Sequence, residues 1–246
     1  MEIGIILLVI IIFSIVQSIF GIGLLIFGTP TLLILDFSFV DSLKILLLPS
    51  IAINFLQIIN QKTHNTELVE EFKKSFIYSC LPFLIFGLLI MKFAIDFINL
   101  SFLIGLLLLM VSLLRSHSRL NELLSNYLSK YKKVGNIFLG IIHGLTNMGG
   151  SFLLILATTA ISDDKTSTKY TVAYCYFIMG VIQYCFISIF FTLNITYMNF
   201  FYIIFPVLIY KTIGNRLFVY IQNYQYQRLI TLFIFIYGIL LLINQI

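Results

Sequence analysis

Gly144-Leu-Thr-Asn-Met-Gly-Gly-Ser-Phe-Leu-Leu-Ile-Leu156 restates, 121 positions on, Gly23-Leu-Leu-Ile-Phe-Gly-Thr-Pro-Thr-Leu-Leu-Ile-Leu35. Gly23 and Gly28 coincide with Gly144 and Gly149, and both copies close on Leu-Leu-Ile-Leu. Each copy lies inside an apolar stretch too long for one simple membrane crossing. Paired, glycine-interrupted hydrophobic segments in corresponding halves of a chain point to a binding site near the bilayer midplane.

The rest of the chain makes lipid its solvent. The 246 residues are 60% hydrophobic and 10% charged, with a mean hydropathy of +1.06. A soluble domain of this size could not hide that much apolar surface from water. The apolar runs are continuous rather than alternating, which predicts an all-α, polytopic helical membrane protein rather than a barrel. The first run has Glu2 where a secretory leader would be basic, and no small-x-small cleavage site follows, so it reads as a retained helix. Cys80, Cys175 and Cys185 sit in apolar runs without metal-ligand spacing, so they read as buried apolar residues. No cofactor or metal is expected. The net charge of +5 falls largely between spans, where it signals topology rather than a nucleic-acid partner.

Charge-free runs cover 3–35, 45–61, 75–91, 97–114, 134–162, 170–210 and 229–246. About 20 helical residues cross a hydrocarbon core of roughly 30 Å, so 170–210 holds two helices, with a turn near Asn194. The runs 3–35 and 134–162 each read as a long broken helix, or a helix plus a re-entrant half-helix. The total is eight membrane elements, four per half. Leu81-Pro-Phe-Leu-Ile-Phe-Gly-Leu-Leu-Ile-Met-Lys92 also aligns with Phe205-Pro-Val-Leu-Ile-Tyr-Lys-Thr-Ile-Gly-Asn-Arg216. The expected organisation is therefore an N-terminal repeat over 1–115, a basic linker over 116–133 and a C-terminal repeat over 134–246. An even element count gives the two halves one orientation, unless the first element is re-entrant. The loops 62–74 and 115–133 carry the basic excess and face the cytoplasm. Lys44, Lys165, Lys169, Lys211 and Arg228 are expected nearer the other face. Apolar residues at helical spacing within 119–131 predict a short interfacial helix.

At these residues the chain resembles the TauE/SafE family of sulfite-exporter-like and toluenesulfonate-uptake-type permeases. Leu48-Pro-Ser-Ile-Ala-Ile-Asn54 resembles the family's proline- and asparagine-bearing helix after the first break. Lys165-Thr-Ser-Thr-Lys-Tyr resembles its basic, Thr/Ser-rich stretch after the second, and Gly214-Asn-Arg216 its Gly-x-Arg at the end of the seventh helix. The resemblance implies a four-plus-four helix duplication and transport of sulfur-containing anions. Two departures stand out: Gly21-Ile-Gly23 replaces a denser glycine run, and Lys211 stands where the first half has Gly87.

The candidate site follows from the two breaks. Glycine lets the chain leave helical geometry, and the half-helix starting near Ser151 then offers unpaired N–H groups and a positive dipole end to an anion. Gly28-Thr29-Pro30 offers the same, since proline is tolerated in a first turn. The expected binding residues are Gly23, Gly28, Thr29, Asn54, His143, Gly144, Thr146, Asn147, Gly149, Gly150, Ser151 and Lys211. A glycine pair equally serves close helix packing; two matching copies favour binding. Gln57 and Gln183 fit interhelical hydrogen bonding as well as ligand contact. His143 could relay a proton or simply pack. Lys211 falls mid-helix if the seventh helix spans 199–219, where a cation is costly and usually functional. It snorkels to the interface if that helix ends near 210. No carboxylate lies within a predicted span, which disfavours cation pathways and aspartyl proteolysis, and no nucleophile–base pair suggests an enzyme.

The expected function is a multi-pass permease of a bacterial-type cell membrane. It moves a small anion, a sulfur oxyanion or organosulfonate, by alternating access. Its partners are the solute and the lipid bilayer, with proton coupling and homo-oligomerisation left open. Rival readings are a cation or neutral-solute transporter or channel, and a non-transporting membrane scaffold.

Overall fold

The computed structural model describes residues 2–60, 66–95, 97–161, 164–191, 197–220 and 223–244. Among the described residues the chain is helical, without strands. Helix α1 (Glu2–Phe20) leads through Gly21–Gly23 into a π-turn (Leu24–Gly28) continued by α2 (Thr29–Ile34). There follow α3 (Phe39–Asn60), α4 (Thr66–Ser79), α5 (Leu81–Ala94), α6 (Leu100–Ser116) and α7 (Ser118–Lys130). The second half comprises α8 (Lys132–Thr146), α9 (Gly149–Ile161), α10 (Lys165–Phe190) and α11 (Tyr197–Ile209). A second π-turn (Tyr210–Gly214), α12 (Asn215–Tyr220) and α13 (Asn223–Ile243) complete the chain. Among the described residues four helical segments are long and apolar enough to cross a membrane: Ile3–Phe20, Phe39–Asn60, Lys165–Phe190 and Phe200–Tyr220. Helices α4 and α5, bent by 42° at Cys80, can make a fifth.

Local chemistry explains the boundaries. Pro82 stands in the first turn of α5, where its missing N–H costs nothing. Asn99 caps α6 by accepting from the Phe102 N–H, and Asp164 caps α10 by accepting from the Thr166 and Ser167 amides. Charged residues 66–74, read from sequence as loop, belong to the amphipathic α4: Glu67, Glu70, Glu71 and Lys74 are exposed, Val69, Phe72 and Phe76 turn inward, and Lys73 is nearly buried against Tyr170 of α10. The interfacial helix expected over 119–131 is α7. The run 170–210 holds α10 and α11; the turn near Asn194 lies outside the described residues, as do Lys62 and His64.

Several helices pack backbone to backbone through glycine. A Cβ on Gly87 would lie 2.6 Å from the Ile141 carbonyl oxygen, while Cβ atoms on Gly140 and Gly144 would collide with the carbonyls of Cys80 and Leu84. Helix α5 thus lies flush on α8. Likewise α6 packs on α13, where a Cβ on Gly238 would sit 2.9 Å from the Leu109 nitrogen. Helix α3 packs along α10, and α1 along α11.

Both glycine-rich segments turn the chain back. A Cβ on Gly135, near the start of α8, would lie 2.7 Å from Leu156 near the end of α9, so these helices form a hairpin with its tip at Asn147. The Phe13 ring of α1 packs 6.0 Å from that of Phe27 beyond the first break, so this segment doubles back too. This corrects the expectation of parallel halves: a fold-back removes one crossing from each half, and the even count behind that expectation no longer applies. It also corrects the basic map. Because α9 returns to the side where α8 begins, α10 starts there, and Lys73 of α4 meets the Tyr170 hydroxyl at 3.2 Å. Arg115, ending α6, donates to Thr231 in α13 at 3.0 Å. Lys165, Lys169 and Arg228 therefore lie on the same side of the fold as the basic stretches of α4 and α6–α7, not on the opposite one.

Candidate functional site

The tip of the second hairpin meets the first hairpin at Thr29, where the π-turn passes into α2 with helical backbone (φ −59°, ψ −53°). Gly28-Thr29-Pro30 is therefore not the start of a separate half-helix, as expected from sequence, and the first segment leaves helical geometry at Gly21–Gly23 instead. Helix α8 stops because Asn147 adopts a left-handed conformation (φ 61°), its N–H donating to the His143 carbonyl at 2.8 Å. Thr146 Oγ1 donates to the Ile142 carbonyl and accepts from the Met148 N–H at 3.2 Å. The Ser151 hydroxyl donates to the Met148 carbonyl at 3.1 Å. Across the gap, Asn147 Nδ2 donates to Thr29 Oγ1 at 3.2 Å. A Cβ on Gly150 would collide with the Tyr176 hydroxyl and lie 2.7 Å from Ile26. One contact zone therefore holds Thr29, Thr146, Asn147, Gly149, Gly150 and Ser151, with Thr29, Thr146 and Asn147 fully buried.

The remaining expected residues divide. His143 is fully buried beneath this zone: its Nε2 lies 3.1 Å from Gln183 Oε1, its ring stands edge-on to Tyr176 at 5.3 Å, and a Cβ on Gly149 would press 2.5 Å from its own Cβ. Gly144 is the flush contact between α8 and α5, Gly28 abuts Leu46 of α3, and Gly23 abuts the Gln17 backbone. These three glycines are occupied with packing. Asn54 sits one layer away in a network: Gln17 Nε2 donates to Ser50 O, Ser50 Oγ and Asn54 Oδ1, each at 3.0 Å. Lys211 is exposed within the second π-turn and does not join the contact zone.

Gln17 was not singled out by sequence, yet it organises the first break. Its Oε1 accepts the Leu24 N–H at 3.0 Å, the first amide of the π-turn, so that donor is spent within the protein. Gln57 Nε2 reinforces it by donating to the Gln17 carbonyl at 2.8 Å. The first break is thus held by α3, through Ser50, Asn54 and Gln57. Tyr176 gave no sign in the sequence either; its hydroxyl, fully buried and without a hydrogen-bond partner among the described residues, lies against Gly150 at the start of α9. The signal available was its spacing from Gln183, seven residues on along α10 and hence on the same face.

The arrangement suits an anion chemically. The first amides of α9, from Gly149 to Ser151, have no acceptor within their own helix, and the positive end of the helix points the same way. The Tyr176 and Thr29 hydroxyls add neutral donors. Asn147 Oδ1 and His143 Nδ1 are also buried without partners among the described residues, but both are acceptors, the imidazole's Nε2 donating to Gln183 Oε1, so the donors available to an anion are the amides and hydroxyls alone.

A family model described as "Sulfite exporter TauE/SafE" matches residues 6–241. No curated protein and no solved structure matches the chain.

Proposed function

Because the chain belongs to the TauE/SafE family of sulfite-exporter-like membrane transporters, we propose that it moves a small sulfur oxyanion or organosulfonate through the zone where its two hairpins meet. The observation that carries this reading is the Asn147–Thr29 hydrogen bond, which ties the tip of the second hairpin directly to the returning arm of the first. The anion's oxygens take the Gly149–Ser151 amides and the hydroxyls of Tyr176 and Thr29. Gly150 keeps the backbone within reach, because any side chain there would occupy the place of the Tyr176 hydroxyl.

The mechanism is alternating access between two halves of opposite orientation. Pairing supports this: α3 packs on α10 and α6 on α13, like on like, while α5 packs on α8 and α1 on α11, each half's first long helix against the other half's later one. A two-fold axis in the membrane plane would produce such a pattern. Rocking one hairpin against the other would expose the shared zone first to one side and then to the other. His143, paired with Gln183, serves as a packing and orienting group beneath the site.

The test is flux of labelled sulfite and of a labelled organosulfonate in proteoliposomes. The wild type carries one or both, and Gly150→Val, whose side chain would displace the Tyr176 hydroxyl from the α9 amides, reduces flux to background. Unchanged flux in a folded Gly150→Val protein would remove the hairpin tip from the mechanism, and selective flux of cations or sugars would favour the rival solute class.

A further inference from the structure

We propose that Lys169 is a second anion site, a cationic waypoint between the hairpin tip and the cytoplasm; the proposal rests on the transport reading and names the charged group of its route. Lys169 is fully buried, and its Nζ has no hydrogen-bond partner among the described residues. The ion pairs found among those residues employ Lys44, Lys73 and Lys132 instead. The ammonium rests on the face of Phe218 in α12, 3.9 Å from the ring centroid.

A lysine kept for architecture alone would find a carboxylate or a carbonyl oxygen, because a buried cation without compensation is strongly disfavoured. An aromatic face compensates weakly. The fold therefore holds an unpaired amine whose charge would be compensated only by a negative charge that the protein does not itself supply. The position fits a route. Lys169, Tyr176 and Gln183 recur every seven residues and share one face of α10. Tyr176 abuts Gly150 at the tip and Gln183 holds His143, so this face looks onto the second hairpin. Lys169 lies about 10 Å along the helix from Tyr176, toward the side where α10 begins.

The first hairpin closes the other flank. Gly21, at its tip with φ +76°, would place a Cβ 3.6 Å from Lys169 Cγ, so bare backbone runs beside the lysine stem. Lys165, one turn earlier on the same face, sits nearer the surface and adds a like charge. The two draw an oxyanion inward. On arrival the anion replaces the ring of Phe218 as the ammonium's partner, and it passes on when the amides and hydroxyls at the hairpin tip take over its oxygens.

The test compares Lys169→Met with Lys169→Arg in the full chain. Thermal unfolding is followed with and without sulfite, and labelled sulfite flux is measured in proteoliposomes. Lys169→Met is expected to unfold at the wild-type temperature or higher without sulfite, to lose the sulfite-induced rise, and to lose at least tenfold in flux; Lys169→Arg retains part of both. A Lys169→Met protein with wild-type flux and sulfite response would overturn the waypoint while leaving the transport reading intact. A Lys169→Met protein that unfolds earlier, or cannot be recovered folded, would mark the lysine as architectural and overturn it equally. A wild type without sulfite response or flux would instead remove the transport reading, and the waypoint with it.

Discussion

Replacing Gln17 with leucine isolates the device that shapes the first hairpin. Leucine nearly matches glutamine in volume, so no cavity confuses the result. The substitution removes the acceptor of the Leu24 N–H and the donor to Ser50 and Asn54, all within a layer where Gln17, Asn54 and Gln57 are fully buried. An orphaned buried amide costs about 1–3 kcal/mol. Each hydrogen bond removed between membrane helices adds about 0.6 kcal/mol. The expected destabilisation is therefore about 2–4 kcal/mol, a shift of roughly 30- to 1,000-fold in the folding equilibrium. Asn54→Leu removes one of those hydrogen bonds and should cost about 1 kcal/mol or less. Reversible denaturant unfolding of both single variants and the double variant completes a cycle. The double variant should be destabilised by less than the sum, because Asn54 has no Gln17 left to accept from. A Gln17→Leu protein within about 0.5 kcal/mol of wild type would show that the π-turn holds itself and that α3 does not position it.

Three further outcomes follow. Gly144→Ala drives a Cβ into the Leu84 carbonyl and to 2.8 Å from the Leu88 nitrogen, so it should destabilise by about 1–3 kcal/mol in thermal unfolding with or without sulfite; a loss of flux at unchanged stability would instead make this glycine part of the site. Tyr176→Phe deletes a buried hydroxyl that has no partner among the described residues, so stability should hold or rise while sulfite flux falls several-fold, and undiminished flux would exclude the hydroxyl from anion contact. Lys211→Met, at an exposed position of the second π-turn, should change flux less than twofold; near-complete loss would return that lysine to the transport route.

The twin breaks were legible because glycine is needed where chains leave helical geometry, and the same spacing occurs in both copies. Pro82 and Asn54 were legible for related reasons, one as a helix opener and the other as a polar residue in an apolar helix. The direction of the first hairpin was not, since α1 is long enough to cross a membrane by itself. The contact of Phe13 with Phe27 reveals the return. The glycine roles divided for a physical reason: Gly144 and Gly150 look alike in sequence, but one meets unyielding backbone and the other a hydroxyl. Lys169 is buried and Lys211 exposed, the reverse of what their places in the sequence suggest. Position along the chain gives depth but not which side of a helix faces the protein, and the polar opening of α10, Lys165-Thr-Ser-Thr-Lys169, does not mark Lys169 as its inward residue. Gln17, near the end of a 19-residue apolar helix, gave no local sign that its amide would reach α3.

The meeting of the two hairpins is tested most directly by joining them covalently. With Cys80, Cys175 and Cys185 changed to alanine, cysteines replace Thr29 and Asn147, whose side chains touch at 3.2 Å, and labelled sulfite flux is followed through oxidation and reduction. A disulfide should form only when both cysteines are present, flux should stop on oxidation, and reduction should restore it. Failure of the bond to form in the folded protein, or sulfite passing equally fast through the oxidised form, would contradict the shared site.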